Sequence, residues 1–430
     1  MVLDIAAAAA SYFPSDYAAP IFAAVVAIIV VRAISQGRKT TRDRDLHARV
    51  VLLTGGFTPF GLTILEALAK RGAHIIALTP HPVESEVVST YIELLRSTTS
   101  NEQIFAETCD LTSPPSIHDF GGRFAKNQDQ RVDAVIFAHE YRHVGALGRG
   151  KTDEYIDAKM RENGALATFL LTTLLLPVLL TAPAERDIRV INIVNRFYPA
   201  AVPSFASGVF NFGTTERRPP MFLAEGIRSL RSIILMRHLQ RILDALPNAG
   251  PLPKPSEQST VPVVRPGTGS QKSNIVAVSV SPGLSRAETM APMLGTRAFG
   301  LLTYAILYPF LLIFAKSASA GIESVLHALF LPTPFKVLSA EERSKTEEGA
   351  REVLKPGALY AECSVVKVPM KVEVADEKEE KDEDAPTIPD DGEFGGQVLG
   401  TQVWEAYEAG LKAWNAAHPR PEETPRTELK

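Results

Sequence analysis

The sequence predicts an α/β fold, a doubly wound parallel sheet in a single domain, on three observations. From Arg49 to about Val368, short β-branched runs alternate with longer helical stretches, the pattern of a sheet covered on both faces. The first run ends in a glycine-bearing turn that opens a helix, Thr54-Gly55-Gly56-Phe57-Thr58-Pro59-Phe60-Gly61. A composition of 22% charged and 45% hydrophobic residues over 430 positions supports a packed core and excludes collagen-like, wholly disordered and multi-span membrane chains.

The uncharged run from Tyr17 to Val31 continues through Ala33-Ile34 past a single Arg32 and approaches the roughly 20 residues of a spanning helix. It reads as one membrane anchor rather than a cleaved signal: Asp4 and Asp16 precede it, and Arg32, Arg38, Lys39, Arg42 and Arg44 follow. The basic flank then keeps the body cytosolic. The endoplasmic reticulum is the expected membrane, with the mitochondrial outer membrane as the alternative. A buried or fraying N-terminal helix is the other reading of the same run.

Strands are expected at Val50–Thr54, His74–Leu78, Ile104–Thr108, Ala134–Ala138, Arg189–Val194, Asn274–Val280 and Leu359–Val368. Helices are expected near Gly61–Arg71, Ser85–Arg96, Pro115–Lys126, Asp153–Leu180 and Pro220–Leu246. The chain thus divides into an anchor with its flank (1–48), the α/β domain (49–370), an acidic linker (371–400) and an amphipathic helix with tail (401–430). Within the domain, 248–273 is rich in Pro, Gly, Ser and Thr and reads as a mobile surface insertion. The linker centres on Ala375–Glu393, whose acidic runs are solvated. Beyond it Trp404, Tyr407, Leu411 and Trp414 recur at helical spacing along Val403–Ala417, a helix that docks on the body or on a partner protein or membrane surface.

A net charge of −4 from 45 basic and 49 acidic side chains offers nucleic acid no attraction. Cys109 and Cys363 make no disulfide framework, and the nine histidines show no metal-ligand spacing.

The glycine turn lets backbone N–H groups and the positive end of a helix face a diphosphate. Asp110-Leu111 follows the third strand, Ala138 ends the fourth, and Pro282-Gly283 follows the sixth. With Phe169–Pro177 in the long helix and the late run Gly357–Cys363, these segments resemble the short-chain dehydrogenase/reductase superfamily, nearest its retinol-dehydrogenase-like members. With the anchor, the whole is similar to a fungal membrane-anchored subgroup of unknown function. The resemblance implies a Rossmann-like domain that binds NAD or NADP, the two not being distinguishable: Thr79-Pro80-His81 after the second strand supplies neither the acid nor the arginine that would choose. It also implies cofactor contacts at Thr54, Gly55, Gly56, Phe60, Gly61, Asp110, Leu111, Ala138, Pro282 and Gly283.

The departures are as informative as the matches. Pro59 stands where the family turn has its middle glycine and offers no N–H. Phe137-Ala138-His139-Glu140 replaces the family's polar brace beside the cofactor. The family's proton donor is a tyrosine with a lysine one helical turn on. Tyr155-Ile-Asp-Ala-Lys159 has the spacing but precedes the fifth strand, and reads as an exposed pair at a helix start. In the expected helix Phe222 is the nearest aromatic, and no lysine lies between Lys159 and Lys254. Asn195 takes the place of the carbonyl-orienting serine; Tyr198, with Arg196, Ser204 and Ser207 in the stretch after the strand, is a candidate for a substitute catalytic site, the other reading being polar loop residues without a catalytic role.

The region 286–330 corresponds to the family's substrate entrance and contains the uncharged run Ala298–Ala315, broken by Pro309. A span there would put the last strand on the wrong side of its sheet, so a buried or membrane-dipping helix is expected, suited to a lipid-like ligand. Two functions follow. One is a membrane-anchored NAD(P)-dependent oxidoreductase acting on an apolar alcohol or ketone. The other is a catalytically silent nucleotide- or lipid-binding scaffold or sensor at the membrane.

Overall fold

A computed structural model of the chain describes residues 15–126, 131–148, 150–182, 186–205, 211–213, 219–246, 273–295, 298–334, 352–368, 370 and 392–419. The insertion 248–273 and the linker Ala375–Glu393 lie outside these residues, save Ser273, Gly392 and Glu393.

Within the domain, strands and helices alternate as β1 (Val50–Thr54), α2 (Pro59–Ala69), β2 (His74–Thr79), α3 (Glu86–Thr99), β3 (Ile104–Thr108), α4 (Pro114–Lys126), β4 (Ala134–Phe137), α5 (Lys151–Leu180), β5 (Ile188–Ile193), α6 (Met221–Ala245) and β6 (Ile275–Ser281). They follow α1 (Ser15–Gln36). After β6 come α7 (Ala298–Phe314), α8 (Ala318–Phe330), β7 (Leu359–Ala361), β8 (Ser364–Val366) and α9 (Gly396–Ala417). The sheet order is β3-β2-β1-β4-β5-β6-β7-β8, parallel except for β8. Strand order reverses between β1 and β4, so a crevice opens at their C-terminal ends, the usual ligand position in such sheets.

The central strands β1, β2, β4, β5 and β6 are buried on both faces and are mostly apolar, with Arg189, Asn192, Ser279 and Ser281 among the buried exceptions. Leu52, Val135 and Phe137 point into a core shared with α4, α5, α6 and α9. Val51, Leu53 and Ile136 point into a second core with α2, α3 and α8. The period of two divides each strand between these layers.

Three expectations change. Leu359–Val368 is not one strand: Glu362 and Cys363 take positive φ (52° and 57°), and the chain folds back as the β7–β8 hairpin. Helix α9 starts at Gly396, inside the expected linker, and docks on the body. Trp404 meets Phe169 edge-on at 5.0 Å, Tyr407 is fully buried, and Arg241 Nη1 donates to Gly396 O at 2.6 Å. The run in α7 is not buried: Phe299, Ile306, Phe310 and Phe314 are all more than 60% exposed.

Helix α7 is tied to the body at both ends, through Leu147 N–H donating to Met293 O just ahead of it and Lys316 N–H donating to Leu284 O just after it. Its C-terminal end meets that of α1, where Arg32 Nη1 donates to Leu312 O (2.6 Å) and Gln36 Nε2 to Ala315 O (3.3 Å). Helix α1 is long and apolar enough to cross a membrane, and none of its Ala19–Gln36 window is buried. Helix α5 also passes by length and composition, but it is largely a core element.

Candidate functional site

The crevice at the C-terminal ends of β1 and β4 has the expected glycine cradle. Gly55 has φ +66°, and a Cβ there would stand 2.9 Å from His139 N; a Cβ on Gly61 would stand 2.0 Å from Gly55 O. Only glycine allows this approach of strand, turn and helix. Thr58 caps α2: its Oγ1 accepts from Gly61 N–H and donates to Gly55 O, both at 3.0 Å. Thr54 Oγ1 accepts from Ala138 N–H (3.2 Å) and bonds His139 Nδ1 (2.8 Å), locking β1 to β4.

The cradle is already filled by the chain itself. Phe60 N–H, one of the amides of the α2 N-terminus, donates to Glu288 Oε1 at 3.1 Å. Glu288 is 1% exposed, and burial raises its pKa, against the Phe60 amide, Arg142 and Thr58, which favour the charged form. The Phe60 ring packs on Tyr141 at 4.5 Å, and Tyr141 Oη donates to Gly283 O at 3.0 Å. A buried bridge therefore runs from the β1 corner to the turn after β6. The glycines fit a diphosphate in shape. The conformation as it stands does not fit one: a carboxylate holds the amide, and Phe60 and Tyr141 fill the space between corner and turn.

The remaining expected residues fall as follows. Gly56 packs in the corner, where a Cβ would meet Ala77 at 3.3 Å. Asp110 Oδ1 accepts from Thr112 N–H (2.9 Å) and Thr112 Oγ1 (2.8 Å), so the carboxylate closes its own loop before α4. Leu111 packs on the α4–α5 side of the sheet. Pro282 and Gly283 form the turn after β6, Gly283 with φ +104°. Asn195 is fully buried; its Nδ2 donates to Glu225 Oε2 at 3.3 Å, while its Oδ1 has no hydrogen-bond partner. Tyr198 is 8% exposed, and burial raises its pKa, so it keeps its proton at neutral pH. Phe222 packs on Phe197 at 5.2 Å with no hydroxyl to offer. Tyr155 and Lys159 lie away from the crevice, lining a cavity of about 950 Å³ between α5, α6 and α9.

A group that sequence reasoning missed is the acid beneath Asn195. Glu225 is fully buried in α6, with Arg161 Nε and Arg228 Nη2 each 2.6 Å from a carboxylate oxygen. His143 Nδ1 stands 3.7 Å from Glu225 Oε2, neither ring nitrogen has a hydrogen-bond partner, and burial lowers its pKa to about 4. A neutral imidazole and the free Asn195 Oδ1 therefore flank one carboxylate, all three side chains being shut off from solvent. The available signal was a lone acid in an otherwise apolar turn of helix, Glu225 between Ala224 and Gly226-Ile227.

The strand order and the glycine corner define a Rossmann-like fold. No family model matches the chain. It is 25% identical to an uncharacterized oxidoreductase of Schizosaccharomyces pombe, over 72% of this chain and 77% of that protein. It is 26% identical to an uncharacterized oxidoreductase of Saccharomyces cerevisiae, over 83% and 82%. Mouse retinol dehydrogenase 12 matches at 25% over 47% of this chain and 63% of its own length. The chain thus resembles these oxidoreductases, the two fungal ones over most of their length, in keeping with the resemblance to the short-chain dehydrogenase/reductase superfamily.

Proposed function

We propose that this chain is a membrane-associated oxidoreductase of the short-chain dehydrogenase type, acting on an apolar, lipid-like alcohol or ketone, whose dinucleotide crevice is closed by its own side chains. The observation that carries it is the glycine cradle, kept at backbone contact at the reversal point of the sheet. Two fungal relatives named oxidoreductases, aligned over most of both chains, support the class. The exposed apolar helices α1 and α7 beside the strand ends support the membrane and the apolar ligand.

On this reading Thr54, Gly55, Gly56, Phe60 and Gly61 hold the diphosphate of NAD or NADP once Glu288 and Tyr141 have moved aside. Asn195 and neutral His143 orient the polar end of the ligand, and Tyr198 is the phenol nearest Asn195 in sequence. A second reading, a silent nucleotide- or lipid-binding module, is favoured by one observation: the crevice is filled by Phe60, Tyr141 and Glu288.

The test is thermal unfolding of the full chain in neutral detergent with NADH and with NADPH. A ligand at a hundred times its dissociation constant stabilises by about 2.7 kcal/mol. No stabilisation by either dinucleotide removes the oxidoreductase reading. Stabilisation followed by turnover of a long-chain alcohol, lost in Asn195→Ala, supports it.

A further inference from the structure

Where α1 and α7 meet the body there is a cavity of about 550 Å³. Its polar wall is Ser35, Arg38, Arg196, Lys316 and Glu362, and its apolar wall includes Ile34 and Phe314, near the C-terminal ends of the two exposed helices. The Lys316 side chain is only 6% exposed, and its Nζ lies 2.5 Å from Glu362 Oε1. Arg196 Nη1 is 3.7 Å from the same oxygen with its side chain 53% exposed, and Arg38 N–H donates to Glu362 Oε2 at 3.3 Å. Two cationic side chains, Lys316 and Arg196, thus share one carboxylate with the Arg38 backbone amide, and with Arg38 also in the lining the cavity keeps an excess of positive charge.

The surroundings identify the anion. Helix α7, 17 residues and so about 25 Å long, is held to the body at both ends. Between those ends it packs on α1 and on the short helix Ala291–Leu294, and it leaves most of its apolar side chains exposed. With the exposed α1 rising from the same place, the protein face around the cavity is the face that meets hydrocarbon. The cationic cavity therefore sits at headgroup depth, its apolar wall continuous with both helices. We propose that it binds the phosphate headgroup of an anionic membrane lipid, with the acyl chains lying along α1 and α7. Arg196 and Arg38 supply charge-assisted donors to the phosphate, and Lys316 is held in place by Glu362. The inference rests on the membrane part of the proposed function and is independent of nucleotide binding.

The experiment uses the full chain in neutral detergent, titrated separately with dihexanoyl phosphatidic acid, dihexanoyl phosphatidylcholine and inorganic phosphate, with thermal unfolding and native mass spectrometry as readouts. Phosphatidic acid is expected to bind and stabilise, with phosphatidylcholine and inorganic phosphate at least about tenfold weaker. The double variant Arg38→Gln/Arg196→Gln, with both changes at exposed side chains, is expected to melt like the parent without lipid and to lose about tenfold or more in affinity for phosphatidic acid. Equal binding of the two lipids, or a double variant that binds phosphatidic acid like the parent, overturns the proposal. So does inorganic phosphate that binds as well as the lipid, since the cavity is then a soluble-anion site. Incorporation into phosphatidylcholine nanodiscs reports on the membrane reading by itself: incorporation without headgroup preference sinks the cavity alone, and failure to incorporate sinks the membrane reading.

Discussion

Glu288→Gln is expected to open the crevice to nucleotide. Glu288 Oε1 sits on the Phe60 amide, at the helix end where the cradle would hold a diphosphate. Two unit charges about 5 Å apart at an effective dielectric near 20 repel by about 3 kcal/mol. Arg142 and the raised pKa of Glu288 reduce that, so a gain of about tenfold to a hundredfold in affinity for NADH or NADPH is expected. Glutamine keeps an acceptor for Phe60 N–H, whereas Glu288→Ala leaves that buried amide unpaired at a cost of about 1–3 kcal/mol. Alanine should therefore bind nucleotide better than the parent while melting lower.

The pH dependence has a definite sign. Protonation removes the competing charge, so in the parent dinucleotide affinity should rise as pH falls through the raised pKa of Glu288, which lies above the ordinary glutamate value of 4.5. In Glu288→Gln that dependence should vanish. Isothermal titration calorimetry across the acid range measures both. Refutation is a Gln variant with the parent's affinity and the parent's pH dependence.

Gly61→Ala puts a Cβ 2.0 Å from Gly55 O, which overpacks the corner; a loss of about 1–3 kcal/mol is expected in chemical denaturation, with any dinucleotide binding abolished. Trp414→Ala removes a 5%-exposed anchor of α9 and should cost about 3–5 kcal/mol, read by earlier proteolysis of the C-terminal helix. His143 and His238 are both held by burial at about 4, below the ordinary histidine value of 6.5. The unfolded chain takes up their protons first, so stability should fall as pH drops from about 6.5 to about 4. Unfolding free energies across that window should show a shallower fall in His143→Phe; an unchanged slope counts against the buried neutral imidazole.

The sheet was legible because its information is local. Val50–Thr54 and Ile104–Thr108 coincide with their strands, and the other boundaries among β1–β6 move by one residue at each end at most. Short runs of mostly apolar, β-branched residues mark strands of a covered sheet, and the turns between carry their own glycines and prolines. The β7–β8 hairpin was hidden because its turn uses Glu362 and Cys363 at positive φ, residues that carry no turn signal. The exposure of α7 was hidden too, because an apolar run reads the same whether it faces a core or hydrocarbon.

The sequence by itself determined the layers, the strand order's starting material and the glycines that let β1, the turn and α2 touch. Only the tertiary structure decided what occupies that contact. Phe60 and Glu288 are 228 residues apart, and Asn195 meets Glu225 across 30. Propensity and periodicity act over a few residues, whereas a buried amide is satisfied by whatever acceptor the packed chain brings within 3 Å. The closed crevice is a property of that packing, and no local pattern encodes it.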